Sequence, residues 1–301
     1  MKRLFTNAVI VTVNDSDEVI HGAMEVTDDI ITYIGEPPSN TWAYDDVTDM
    51  RGKMVLPGFV NTHGHAAMSL LRGYADDLPL QEWLQTKIWP IEDKFGPQQI
   101  KWGTMLSILE MIKSGTTTFV DMYDYMDEVA HAVVSSGMRA RLCRGLIGLT
   151  SEEERANKLK EATRFVQEWH DAAGGRITTM MGPHAAYTCP PKYISQIIDQ
   201  SAALNVPIHI HLSETAREVQ QNVDDYGKRP VAHLLELGLF ERPTLVAHAV
   251  HINDEEIDVL NRYSVKISHN PGSNLKLGSG IAPIGKMLKR GLRPSLGTDG
   301  P

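Results

Sequence analysis

Cysteine is nearly absent. Cys143 and Cys189 are the only two in 301 residues, too few for a disulfide framework, and reduced thiols in a cytoplasmic protein are the simplest reading. Long apolar runs are missing too: no uncharged stretch approaches the ~18 residues of a membrane span. The start, Met1 to Asp15, has a short apolar run, but it alternates, is rich in Val, Ile and Thr, and lacks a small-residue cleavage site. It therefore reads as a strand and not as a signal peptide. Basic charge is in deficit, with 29 Lys and Arg against 38 Asp and Glu and a formal net charge of −9. That balance argues against a nucleic-acid backbone as partner. Disorder is excluded by a composition that is 42% hydrophobic and 22% charged, as in ordinary globular chains. What the chain does have is histidine, twelve in all, and their placement carries most of the functional reading.

Residues 1–55 read as a small β unit of hairpins, with strands at Leu4–Val13, Ala23–Val26 and Ile30–Ile34 separated by turn formers. From there to residue 301 the rhythm changes. Eight short apolar strand candidates follow: Val55–Asn61, Thr116–Asp121, Ala140–Gly145, Ile177–Gly182, Val206–His211, Thr244–His248, Val265–Ser268 and Pro294–Gly297. Between them lie helical stretches at Pro97–Lys113, Asp127–Ser136, Glu152–His170, Pro191–Leu204, Thr215–Leu237, Asp254–Tyr263 and Ile284–Lys289, with extra helical material around Leu80–Phe95. Alternation of this kind implies right-handed βαβ units and a parallel sheet. Eight strands fit a closed (β/α)8 TIM-like barrel over residues 56–301. An open dinucleotide-binding sheet would want G-x-G-x-x-G after its first strand, where this chain has Thr62-His63-Gly64-His65.

Polar residues gather at the C-terminal ends of these strands, which converge on one face of a barrel. They are His63 and His65, His184, His209 and His211 followed by Glu214, then His248, His269-Asn270 and Asp299. His63 and His65 are two apart and point to one side of an extended chain. With His211 and Asp299 from across the barrel they make a three-His, one-Asp donor set suited to one zinc or iron(II) ion with a position open for water. His209 shares a face with His211, and spacing alone does not choose between them. His211 lies nearer the rim, and His209, one layer deeper, reads as structural support. Glu214 begins a helix, where the macrodipole favours a carboxylate in any case. His251 has the wrong parity to join His248 and reads as loop or cap. The turn-rich stretch His269 to Asn274 reads as shaping the rim.

Val55-Leu56-Pro57-Gly58-Phe59-Val60-Asn61-Thr62-His63-Gly64-His65 resembles the first-strand signature of the amidohydrolase superfamily. His211-Leu212-Ser213-Glu214-Thr215, His248 and Gly297-Thr298-Asp299-Gly300 match its later stations in order. Leu71-Arg72-Gly73, Asp76 to Leu80, Trp89-Pro90-Ile91-Glu92, Gly182-Pro183-His184-Ala185 and His269 to Asn274 make the 5-methylthioadenosine/S-adenosylhomocysteine deaminases the nearest resemblance within it. The resemblance implies a single divalent metal, zinc or iron(II), on His63, His65, His211 and Asp299. The absence of a lysine from the fourth strand agrees with one metal. It implies Glu214 as proton donor, His248 and Asp299 as the groups that orient water and accept its proton, and Glu92, His184 and Arg144 as substrate contacts. Hydrolytic deamination of an adenine nucleoside thioether to its inosine analogue and ammonia is the implied reaction, in a homo-oligomer. The rivals are a deaminase or chlorohydrolase of another heteroaromatic ring (guanine, cytosine or an s-triazine) and a non-catalytic barrel that binds or assembles. The family also returns after the barrel to complete the small β unit as a β-sandwich and to add a last helix. The expectation is thus a C-terminally truncated chain with open strand edges and marginal stability.

Overall fold

The computed structural model describes residues 1–300. The chain divides into two compact units, Met1–Phe59 and the remainder from Val60. In the first, strand Lys2–Val11 pairs antiparallel with Val19–Thr27, which pairs antiparallel with Ile30–Gly35. Asp46–Asp49 and Met54–Val55 add parallel to Lys2–Val11. Leu4, Ala8, Ile10 and Ala23 are its buried side chains.

The second unit is a ring of eight strands: Phe59–Gly64, Thr116–Tyr123, Arg139–Leu146, a split fourth (Ile177–Thr179 and Gly182–Pro183), Ile208–Leu212, Thr244–His248, Lys266–His269 and Ser295–Leu296. Strands one to four and five to eight are hydrogen-bonded in order. Single parallel bridges, Met181 to Ile208 and Ala185 to His211, join the fourth to the fifth, and Gly64 to Asp299 joins the first to the eighth. The result is a closed (β/α)8 barrel. Side chains and backbone both cross the seam between the first and eighth strands. Asn61 Nδ2 donates to Thr298 Oγ1 at 2.8 Å, Thr62 Oγ1 donates to the Leu296 carbonyl at 2.9 Å, and the Thr298 and Asp299 amides both donate to the His63 carbonyl at 3.0 Å. The outer face of helix Pro97–Lys113 does leave Trp102, Leu109 and Ile112 exposed.

The helices begin where their caps dictate. Ser151 accepts the Glu154 amide to start Glu152–Trp169, and Asn253 and Glu256 bond reciprocally to start Asp254–Arg262. The single helix expected over 215–237 is two, Ala216–Tyr226 and Pro230–Glu236. Gly227 at φ 67° ends the first and Pro230 opens the second, so the chain turns between them. The turn-rich stretch after His269 contains a short helix, Pro271–Lys276, again opened by proline. Residues 80–92 form consecutive helical turns, with a π turn at Leu84–Ile88.

Between ring and helices lies an apolar layer that includes Tyr193, Ile194, Ile208, Ile210, Leu212 and Val246 on one side and Phe119, Leu142, Phe165 and Ile177 on the other. Each such side chain contributes roughly 1.5–3 kcal/mol on burial. Cys143 and Cys189 are buried and free. Among the described residues no helix is long and apolar enough to cross a membrane.

One close approach ties this packing to the first strand. His65 leads into the turn Ala66–Leu71, which lies against helix Pro97–Lys113 at Gly103. A Cβ on Gly103 would sit 2.3 Å from the Ala67 carbonyl oxygen and 2.9 Å from its Cα. Gly103→Ala is therefore expected to push the turn away and destabilise the barrel by about 1–3 kcal/mol, read as a lowered midpoint in chemical denaturation. An unchanged midpoint would contradict this packing.

Candidate metal centre and catalytic cavity

The first strand carries His63 and His65 to the C-terminal end of the ring, the fifth carries His211, and Asp299 follows the eighth. Their ligand atoms lie within 4.8 Å of one another. His63 Nε2 and His65 Nε2 are each 3.0 Å from Asp299 Oδ1. The outer nitrogens explain why the inner ones face each other. His65 Nδ1 donates to the Met122 carbonyl at 2.6 Å, and His211 Nδ1 donates to the His184 carbonyl at 2.7 Å. His209 Nδ1 donates to the Leu245 carbonyl at 3.0 Å, which leaves its Nε2 free to accept from His63 Nδ1 at 2.8 Å. Each of His63, His65 and His211 thus spends its one neutral-state proton outward and aims a lone pair inward. Three lone pairs and a carboxylate oxygen at such range attract a cation, and this donor set fits a divalent metal. With no cation between them, burial opposes charge on His65 but Asp299 outweighs it and raises His65 to about 9, so a proton and a metal compete for the inward nitrogen of His65. Burial holds His63 down at about 4.

Beside this cluster, Glu214, His248 and Asp299 form a second group within 4.8 Å. His248 Nε2 is 3.6 Å from Glu214 Oε2 and 3.7 Å from Asp299 Oδ2. Glu214 is 5% exposed, and burial pushes its carboxyl up to about 7. Its backbone is fixed from behind by Glu218, whose carboxylate accepts the Ser213 and Glu214 amides at 2.8 and 2.7 Å. Thr215 in turn caps the helix by accepting the Glu218 amide at 3.1 Å. Glu218 was missed in the sequence, although Thr215-Ala216-Arg217-Glu218 has the capping-box spacing that announces it. Ser279 donates to Glu214 Oε1 at 3.3 Å, Ser273 donates to Asp299 Oδ2 at 2.6 Å, and Asn274 Oδ1 meets His248 Nδ1 at 2.8 Å. No spacing rule singles out these three partners. Ser213, His248 and Asp299 all have positive φ, at 49°, 75° and 62°, a backbone strain that collects at functional sites.

Both groups border a cavity of about 810 Å³, with His65, His184, His211, Glu214 and Asp299 in its lining. His184 is held by Thr188 Oγ1 at 3.0 Å, and burial lowers it to about 3, so it is neutral. Glu92 also lines the cavity and accepts the Tyr123 hydroxyl, and burial raises it to about 7. Trp83 and Trp89 contribute to the apolar wall. Arg144, expected among the substrate contacts, has its side chain engaged elsewhere. It is not in the lining; it pairs with Asp124 and with Glu161. Asp124 does line the cavity, so Arg144 stands behind a wall residue. His251 Nε2 donates to the Ser279 carbonyl at 2.6 Å, which anchors the segment that reaches Glu214.

The chain His63–His209–Leu245 makes His209 the support of an inward lone pair. His209→Leu should weaken divalent-ion affinity by roughly 10–100-fold, while His209→Gln, which keeps an acceptor, should weaken it less. Competition with a chromophoric chelator measures both, and equal affinity of the leucine variant and the parent would refute the support role.

Residues 54–301 match the amidohydrolase family. The whole chain is 50% identical to the 5-methylthioadenosine/S-adenosylhomocysteine deaminase of Syntrophomonas wolfei subsp. wolfei, covering 70% of that protein. It is 49% identical to the deaminase of the same name from Desulforudis audaxviator, covering 69% of it. Among solved structures, an adenosine deaminase from Xanthomonas campestris with bound zinc superposes with a TM-score of 0.90 at 32% identity, over 99% of this chain and 69% of that one. A guanine deaminase from C. acetobutylicum with guanine in its active site shares the fold, with a TM-score of 0.90 at 24% identity over 99% of this chain and 74% of that one. By sequence and by fold, the chain belongs to the amidohydrolase family.

Proposed function

We propose that this chain is a metal-dependent aminohydrolase that deaminates the adenine ring of 5′-methylthioadenosine and S-adenosylhomocysteine. Water replaces the amino group at C6, giving the inosine analogue and ammonia. The observation that carries the reading is the buried trio of Glu214, His248 and Asp299 set against a three-His, one-Asp donor set at one cavity. The substrate class rests on the similarity, over the whole of this chain and about 70% of theirs, to deaminases of that name.

His63, His65, His211 and Asp299 would hold one divalent ion, with zinc the candidate that the Xanthomonas relative supports. When bound, the ion supplies the Lewis acidity that makes water nucleophilic near neutral pH. The chain's own residues do the rest. Glu214, kept protonated near neutrality by burial, donates to ring nitrogen N1 as C6 becomes tetrahedral. His248 Nε2, facing Asp299 Oδ2 at 3.7 Å, accepts the first proton of the attacking water and passes it to the departing amine, and the remaining C6 hydroxyl proton goes to the Glu214 carboxylate as C6=O forms, which restores the acid. Neutral His184 hydrogen-bonds the base. Glu92 has Tyr123 on one oxygen and offers the other to ribose hydroxyls. A cavity of about 810 Å³ leaves room beyond the nucleoside for a 5′ thioether substituent, and the apolar wall at Trp83 and Trp89 suits it.

Glu214→Gln keeps the shape and removes the proton. Deamination by the metal-loaded variant is expected to fall about 10²–10⁴-fold with metal content unchanged, whereas full turnover would overturn the donor role. Ammonia release from 5′-methylthioadenosine, S-adenosylhomocysteine, adenosine and guanine in parallel tests the substrate class. The two thioethers should lead, and preference for guanine would overturn the assignment.

A further inference from the structure

The segment from Asn270 to Gly280 reaches all three members of the proton-transfer trio, through Ser273 to Asp299, Asn274 to His248 and Ser279 to Glu214. Asn274 is the member whose contact decides chemistry. It is 1% exposed. Its backbone is tied on both sides: its amide donates to the Asn270 carbonyl at 3.0 Å, and its carbonyl accepts the Ser279 and Gly280 amides at 2.8 and 3.3 Å. Its side-chain Oδ1 lies 2.8 Å from His248 Nδ1, while His248 Nε2, fully buried, has no hydrogen-bond partner among the described residues. Glu214 Oε2 and Asp299 Oδ2 face that nitrogen at 3.6 and 3.7 Å.

A neutral imidazole carries one proton, and which nitrogen holds it depends on what the other meets. The Asp299 carboxylate, with the facing oxygen of Glu214, would by itself draw that proton to Nε2. The Nδ1 lone pair would then point at a carbonyl-type oxygen 2.8 Å away, an acceptor against an acceptor. With the proton on Nδ1, the Asn274 contact is a hydrogen bond, and Nε2 is left as a lone pair among the reacting groups. If Nε2 then gains a proton, the Asn274 bond survives unchanged.

We propose that Asn274 is a positioning residue that fixes His248 as the Nδ1–H tautomer and thereby confines proton exchange to Nε2. This rests on the proton-transfer role given to His248 above. A neutral amide serves here where a carboxylate serves in a Ser-His-Asp triad. Because the amide bears no charge, it sets the tautomer without adding a second negative group beside Asp299.

Long-range proton–nitrogen correlation spectra of the zinc-reconstituted protein, with His248 assigned by comparison with His248→Gln, read the tautomer without any turnover. In the parent chain His248 Nδ1 should carry a proton. In Asn274→Leu the proton should move to Nε2, and kcat for 5′-methylthioadenosine should fall about 10²-fold with KM held within about threefold. Asn274→Asp, isosteric and still an acceptor, should keep the Nδ1 proton, and it serves as the second variant if the leucine protein does not fold. A bare Nδ1 in the parent or in the aspartate variant, or an Nδ1 proton and full kcat retained in the leucine variant, would overturn the proposal. If no purine nucleoside is turned over at all, the spectra still decide the tautomer, so the two readings fail separately.

Discussion

Every imidazole around the candidate metal centre sends its Nδ1 proton away from the middle. Two of the receiving groups are main-chain carbonyls of neighbouring strands or their extensions, at Met122 and His184. The third is a buried histidine that is itself bonded to the Leu245 carbonyl. These carbonyls stand where they do because eight strands close into a ring, so the barrel's hydrogen-bond register sets the tautomers. The inward lone pairs follow from that register, and the affinity for a cation follows from the lone pairs. Directionality is thus supplied by the backbone, which substitutions at the surface leave intact.

The proton-transfer trio is governed differently. Glu214, His248 and Asp299 are oriented from the far side by short polar segments: the capping carboxylate of Glu218 and the stretch from Asn270 to Gly280. Strand ends place the groups, and the helical turns and loops that follow the strands aim them. Such a division separates the tolerance of the two parts. The ring demands packing volume at positions such as Ile208, Ile210 and Leu212, whereas the aiming segments demand particular donors and acceptors.

Much of this was legible in the sequence, and the reason is periodicity. His63 and His65 share a strand face by parity, and strand ends converge in a barrel, so His63, His65, His211 and Asp299 stand out as a candidate donor set in the sequence, although parity alone does not separate His211 from His209. The helix over 215–237 was misread because its apolar pattern runs on through Gly227 and Pro230, and only the left-handed φ at Gly227 reveals the break. Arg144 was expected at the substrate from the family resemblance alone. Its ion pairs with Asp124 and Glu161 come from other elements, and no local pattern announces them. Asn274 was visible only as a turn former, because its contact with His248 spans 26 residues.

The same contacts also bear the strain. Ser213, His248 and Asp299 each adopt a positive φ, at about 1–3 kcal/mol apiece. The Ser213 amide is held by Glu218, the amide after His248 donates to the Leu212 carbonyl at 2.9 Å, and the Asp299 amide donates to the His63 carbonyl. The last of these also closes the barrel between its first and eighth strands. Sealing the ring and turning the Asp299 carboxylate toward His63 and His65 are therefore one act. A change that loosened the seam would let Asp299 relax to an ordinary backbone conformation and would disperse the donor set, even with every ligand residue still present.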